Sequence, residues 1–249
     1  MEILQLKSEM KKFNTDTLTY LNGNKFSNSL SVCLAQPEKE VIYRIDLLKS
    51  LCKDKNIVHL GFTDHIPLIQ SKIKSKNWLH QELVCTAKRC IGIDINAEAV
   101  DYVREVVGIK EVYVHDIILD SKLPELMLQK WDYLVIGEVL EHIDNPVLFL
   151  NTIKEKYKNC FSKIIITVPN AFELTNIKGV FKHKEIINSD HRYWFTPYTL
   201  ARVVCASGFT VFGYCYVQSF KPNNWLHKIL LKKFPMLREG IVMVIEDEI

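Results

Sequence analysis

Four residues in two short segments are of types that could share a divalent cation. Glu138, Glu141 and His142 fall in the string EVLEH, directly after an apolar run, and His191 falls in DHRYWFT. If residues 138–142 begin a helix or a tight turn, the three side chains lie on one side of it. Two carboxylates and an imidazole are hard or borderline ligands, suited to Mg²⁺ or Mn²⁺. The same groups could also act without a metal, with His142 or His191 as a general base and Glu138 lining a ligand pocket. A purely structural role is the third reading.

A second set of residues follows apolar runs that read as strands. Gly61, Phe62 and Thr63 follow the first, Asp94 and Ile95 close the second, Asp116 and Ile117 follow the third, and Glu138 follows the fourth. In an open α/β sheet, ligands bind at the carboxyl ends of strands. For a nucleoside ligand each residue then has a task. Gly61 lets backbone approach closely, because it has no Cβ. Asp94 could accept hydrogen bonds from both ribose hydroxyls, and Asp116 one from an exocyclic amine. Ile95 and Ile117 would flank the base.

The elements that must position these residues alternate along the chain. Strands are expected over 56–61, 90–95, 111–115, 133–137, 163–168, 209–217 and 241–245. Apolar residues at helical spacing put helices over 38–54, 97–107, 146–157 and 196–207, with mixed helix over 66–88 broken near 75–77. Asn96 is the expected N-cap of one helix, with Gly108 after its end. Pro197 sits where its missing N–H costs nothing. Strands separated by helices imply right-handed crossovers and a mostly parallel sheet. Residues 1–40 read as a cap over the site or an arm, and 41–249 as the main domain. Within it, 171–195 and 218–240 read as acceptor-side insertions. The stretch WLHKILLKKF reads as a packed helix with a solvated lysine face.

The ordered set GIDIN, VHDI and WDYLVIGEVLEHIDNP resembles the class I S-adenosylmethionine-dependent methyltransferases. VPN at 168–170 and HRYWFTPYTL at 191–200 resemble later motifs of the group that carries EVLEH. The resemblance covers roughly 41–217. It implies a Rossmann-like, seven-stranded, mostly parallel sheet with helices on both faces. It also implies S-adenosylmethionine bound around Gly61, Phe62, Thr63, Asp94, Ile95, Asp116, Ile117 and Glu138. Many members with the last motif sit in bacterial capsule or other surface-glycan pathways, so the implied reaction is O-methylation of a small polar acceptor such as a sugar or nucleotide-sugar. The pairing of ExxEH with a later histidine also resembles metal-dependent 2′-O-methyltransferases that act on small-RNA 3′ ends. There Glu138, Glu141, His142 and His191 would hold Mg²⁺ or Mn²⁺. One departure stands out: the first loop reads HLGFTDHIP, with a single glycine where such proteins hold two or three. A fold relative without the reaction is the reading this departure supports. It also disfavours a dinucleotide dehydrogenase, whose pyrophosphate needs the glycine-rich turn. His65 and His80 fall near the expected cofactor entrance, as candidates for a lid.

Composition excludes other classes. With 48% hydrophobic and 24% charged residues, the 249-residue chain is neither disordered nor coiled-coil. Its 32 basic and 29 acidic residues give a net charge of only +3, so a nucleic-acid partner is not favoured. Seven cysteines, an odd number without a CxxC, read as reduced thiols of a cytoplasmic protein. No run is long enough to span a bilayer, and stable membrane insertion is not expected. Tyr193, Trp194 and Phe195 beside His191 read either as a stacking surface for a sugar or base, or as core.

Overall fold

The computed structural model describes residues 10–247. Seven strands form one sheet: β1 (Asn56–Leu60), β2 (Arg89–Asp94), β3 (Val112–Val114), β4 (Trp131–Gly137), β5 (Phe161–Pro169), β6 (Phe209–Val217) and β7 (Gly240–Asp247). Their order is β3-β2-β1-β4-β5-β7-β6. The first five are mutually parallel, and β7 runs antiparallel between β5 and β6. This matches the expected sheet. Ten α-helices are seen among the described residues: α1 (Thr15–Leu21), α2 (Arg44–Cys52), α3 (Ile66–Lys74), α4 (Leu79–Val84), α5 (Ala97–Tyr102), α6 (Pro124–Met127), α7 (Pro146–Lys156), α8 (Leu174–Val180), α9 (Pro197–Ala206) and α10 (Trp225–Lys233).

The central strands are apolar on both faces because both faces are covered. Alternate residues part to opposite sides. Val58, Leu60, Ile91, Ile93, Leu134, Ile136, Ile164 and Ile166 pack with Leu150 and Ile153 of α7 and Leu200 and Val204 of α9. Ile57, Cys90, Val135 and Ile165 pack with Leu47, Leu48 and Leu51 of α2 and Leu79 and Leu83 of α4. Caps fix where helices begin. Asn96 accepts from Ala99 N–H at 3.1 Å, and Thr196 from Thr199 N–H at 3.1 Å. After α5 the chain relaxes into a π-turn, Val103–Val107, which ends at Gly108 with φ +86°.

The chain departs from its sequence pattern at several points. The helix expected over 38–54 starts only at Arg44, because the preceding segment pairs with the end of β6. Gln218 N–H donates to Ile42 O at 2.9 Å, and Arg44 N–H to Gln218 O at 3.0 Å. The short helices α1, α6 and α8 carry too few turns to show a period. The stretch between β6 and β7 is indeed helical, with Lys228 and Lys233 solvated as expected, yet much of its apolar side is left uncovered. Of α10's apolar residues Leu231 is buried, whereas Trp225, Leu226 and Ile229 are exposed.

Residues 10–40 join the core along β6 and α9. Met10, Phe13, Leu21 and Leu34 are buried, Lys11 and Tyr214 exchange backbone hydrogen bonds at 2.8 and 2.9 Å, and Arg202 Nη1 donates to Tyr20 O at 2.9 Å. The remainder of the expected cap, 1–9, lies outside the described residues. No disulfide joins any of the seven cysteines. Among the described residues no helix is long and apolar enough to cross a membrane.

Candidate active site

The sheet order reverses between β1 and β4, since β2 lies on one side of β1 and β4 on the other. Such a switch point opens a crevice at the strands' carboxyl ends. The turns after β1 and β4 border it. Gly61, at φ +69°, occupies the left-handed region, and a Cβ there would overlap the Val139 Cγ2 methyl. Only glycine therefore fits where the two turns close on each other. The remainder of the first loop is held by Asp94. Thr63 N–H and Oγ1–H donate to Asp94 Oδ2 at 3.1 and 2.7 Å, and Asn96 N–H donates to Oδ1 at 2.9 Å. These contacts lock a loop that has one glycine where three would be flexible. They leave a buried carboxylate fixed at the end of β2.

The flanking residues divide. Ile95 is 72% exposed beside Asp94, open to cover a planar ligand, whereas Ile117 is buried in the core. Asp116 Oδ1 accepts from Ile118 and Leu119 N–H at 2.8 and 3.0 Å, so one of its oxygens is committed to the turn. Phe62 is buried against the face formed by Ile69, Trp78 and Val100. His80 is no lid residue. It is fully buried, with its Nδ1 3.2 Å from His59 Nδ1. His65 does precede α3, on the rim.

The EVLEH segment forms a single 3₁₀ turn, Leu140–His142. It brings together three of the four expected ligands. Glu141, His142 and His191 each offer a ligand atom, and these atoms lie within 4.8 Å of one another. Glu141 is fully buried, and neither carboxylate oxygen has a hydrogen-bond partner. Burial, reinforced by Glu138, pushes its carboxyl up to about 9. His142 Nε2 lies 4.0 Å from Glu141 Oε1, and His142 Nδ1 lies 3.2 Å from Asp190 Oδ2. His191 stands edge-on to His142, with ring centroids 4.7 Å apart, and its Nδ1 is buried without a partner. Burial, with His142 next to it, pulls the His191 pKa below its ordinary value and favours the neutral ring.

This is what a cation site requires of its protein. The buried acceptor atoms lack protein partners, the imidazole favours its neutral form, and the other nitrogen of His142 is oriented by a carboxylate. The residues present fit a divalent cation. Glu138 is not among them. Its Oε1 lies 2.9 Å from Arg44 Nη1 and accepts from Thr167 Oγ1 at 2.8 Å, and its backbone takes φ +55°, rare for a residue with a Cβ. The fourth expected ligand is thus engaged by an arginine that carries no sequence signal, from the first turn of α2.

The aromatic cluster splits as well. Phe195 is core, Tyr193 OH donates to Asp144 O at 2.7 Å, and Trp194 Nε1 donates to Glu185 Oε1 at 2.9 Å. Arg192 N–H donates to Glu141 O at 2.8 Å, and the Arg192 side chain reaches His142 O and Asp144. The segment bearing His191 is thereby tied to the 3₁₀ turn bearing Glu141 and His142.

No protein-family model matches the chain, and no curated protein matches it. Solved structures do. The crystal structure of the small RNA methyltransferase HEN1 superposes with a TM-score of 0.54 over 90% of this chain, at 15% identity. The chain spans only 27% of that protein's length. Magnesium protoporphyrin IX methyltransferase (ChlM) from Synechocystis PCC 6803, with bound SAH, superposes with a TM-score of 0.50 at 11% identity, covering 82% of each chain. At such identities the likeness shows the fold: the chain has the class I methyltransferase fold.

Proposed function

We propose that this fold serves S-adenosylmethionine-dependent O-methylation of a small polar acceptor, a sugar or nucleotide-sugar, with a divalent cation held by Glu141, His142 and His191. The observation that carries the reading is the fully buried, unpartnered Glu141 carboxylate beside two imidazoles, at the carboxyl end of β4. A buried carboxylate without partners is costly unless something charged sits against it.

When bound, the cofactor supplies an electrophilic methyl on a sulfonium, and Mg²⁺ or Mn²⁺ supplies a charge that acidifies a neighbouring hydroxyl. The chain's residues do the rest. Asp94 offers a fixed acceptor for ribose hydroxyls, and Ile95 offers exposed apolar surface beside it. Asp190 orients His142, and Arg192 holds the two ligand-bearing segments in register. Displacement at a methyl group depends chiefly on such positioning.

The test is calorimetric titration with S-adenosylhomocysteine, with Mn²⁺ and then with a chelator, followed by transfer of labelled methyl to sugar and nucleotide-sugar acceptors. Micromolar binding and metal-dependent transfer are expected. No binding under either condition would remove the methyltransferase reading and leave a fold relative without the reaction.

A second reading takes RNA as the acceptor. The similar structure whose name states small RNA as its substrate is one support. The other is that Lys178, Lys182 and Lys184 stand exposed on the segment that leads to His191. RNA binding that weakens steeply with salt, together with methylation of an RNA 3′ end, would favour it over the sugar.

A further inference from the structure

A second cavity lies on the same edge of the sheet. It has a volume of about 230 Å³, and its walls include Glu173, Lys178, Gln218, Lys221, His227 and Glu239. It sits where β5 and β6 end and β7 begins, with α10 along one side.

Asn170 joins this cavity to the Glu141–His142–His191 cluster. On one side Asn170 bridges Phe195, four residues beyond His191. On the other, its N–H donates to Glu239 O at 2.9 Å, and its side-chain amide donates to Met236 O and Arg238 O at 2.7 Å each. The two sites thus flank one rigid strand end.

The cavity's polar groups are not used up by the fold. Gln218 is 3% exposed, and its Oε1 is buried without a hydrogen-bond partner. A buried acceptor left unpaired is destabilising, so a ligand donor belongs against it. Glu173 supplies a second acceptor, and burial, reinforced by Glu239, raises its pKa to about 7. Glu239 is braced: its Oε2 accepts from Ser219 N–H at 2.8 Å and from Phe220 N–H at 3.3 Å. Acceptors at the wall call for hydroxyl donors. Lys178 and Lys221, both exposed, supply positive charge around them. Hydroxyls and an anion together describe a phosphorylated sugar.

From this geometry we infer that the cavity binds the phosphate-bearing sugar portion of a ligand, with Gln218 and Glu173 accepting from its hydroxyls and Lys178 and Lys221 facing its phosphate. The assignment of that ligand as the methyl acceptor rests on the O-methyltransferase reading; the cavity as a binding site does not.

Glucose 1-phosphate, glucose and inorganic phosphate are the probes, each followed by saturation-transfer NMR and calorimetry on the full chain. Glucose 1-phosphate should bind saturably and more tightly than either part. Lys221→Ala should weaken glucose 1-phosphate and phosphate by about tenfold while leaving glucose unchanged. Gln218→Leu should weaken glucose and glucose 1-phosphate by a similar factor. Lys221 is exposed, so its variant folds even where the buried Gln218 variant does not. S-adenosylhomocysteine affinity should be unchanged in both. Failure of glucose 1-phosphate to bind, or equal binding by wild type and Lys221→Ala, overturns the inference. Glucose 1-phosphate binding without S-adenosylhomocysteine binding upholds the cavity and removes the methyltransferase.

Discussion

Arg44 Nη1 lies 2.9 Å from Glu138 Oε1, and the pair links the first turn of α2 to the turn after β4. Thr167 Oγ1 donates to the same oxygen at 2.8 Å. Glu138 is therefore already neutralised by protein, whereas Glu141, three residues on, has no hydrogen-bond partner and only His142 Nε2 at 4.0 Å. This asymmetry ranks the two carboxylates. Glu141→Gln should weaken Mn²⁺ binding by about 100-fold or more, and Glu138→Gln, acting from outside the ligand set, by about tenfold. Calorimetry with Mn²⁺ measures both. Equal losses would mean that Glu138 leaves Arg44 to become a ligand.

Asp94 carries two duties, holding the first loop through Thr63 and presenting a carboxylate at the end of β2. Each hydrogen bond to a charged acceptor contributes about 1.5–3 kcal/mol. Asp94→Ala should therefore weaken S-adenosylhomocysteine by about 100-fold or more. Thr63→Val removes one loop contact and keeps the carboxylate, so it should lower thermal stability with a smaller loss of affinity. If Asp94→Ala bound the cofactor as wild type does, the nucleoside site would lie elsewhere.

The parts of this arrangement that were legible in the sequence are those set by local pattern. Apolar runs ending in Gly61, Asp94, Asp116 and Glu138 placed the strands, and Asn96 as a cap and Pro197 in a first turn marked helix starts through local effects. ExxEH with His191 pointed to a cluster, and three of its members do meet. What was not legible depends on contacts distant in the chain. Arg44 reaches Glu138 across 94 positions of sequence, and nothing local to either residue encodes the pair. The His59–His80 contact is hidden in the same way, because the two residues stand 21 positions apart and nothing local to either encodes the pair. The solvated lysines of α10 follow its sequence pattern, but periodicity does not show how much of the apolar side a partner covers, and Trp225, Leu226 and Ile229 stay exposed.

Gly61→Ala tests the closure of the crevice. The new methyl would overlap Val139 Cγ2, and φ +69° would strain any residue with a Cβ. A loss of about 2 kcal/mol or more in denaturant unfolding is expected. Adding Val139→Ala should relieve the overlap and leave about 1–2 kcal/mol of backbone strain. Full recovery in the double variant would show that the left-handed backbone is not required there.

Glu141 makes stability depend on pH with a definite sign. Its carboxyl is raised from 4.5 to about 9 by burial, reinforced by Glu138. Between those values the folded state holds a proton that the unfolded state has released, so stability falls as pH rises through the window. Glu173, raised to about 7, adds to the same trend. Mn²⁺ should reverse the Glu141 part, since the cation binds the deprotonated form. Urea unfolding across the window, with Mn²⁺ and with a chelator, measures this. In Glu141→Gln the slope should be shallower and the response to Mn²⁺ lost. A variant slope as steep as that of wild type would clear Glu141 of the effect.

The buried histidine pair gives the opposite sign at lower pH. His59 and His80 face each other through Nδ1 at 3.2 Å, so one donates and the other accepts, and neither Nε2 has a partner. Burial holds both rings neutral: His59 falls to about 3, with Arg44 contributing, and His80 falls well below 6.5, with His59 contributing. In the unfolded chain both take up protons as pH falls below 6.5, whereas in the fold they do not. The histidines' contribution is therefore full above 6.5 and, against the opposing trend of Glu141 and Glu173, is lost on acidification, approaching about 1.4 kcal/mol per pH unit for each. His191 and His115, both lowered chiefly by burial, add to it with the same sign. Urea midpoints between about pH 7 and pH 5 bracket the onset, before carboxylates of ordinary pKa dominate. His80→Gln should make the decline shallower, because one non-titrating group replaces one that resists its proton. An unaltered slope in that variant would mean that the pair admits a proton without opening the fold.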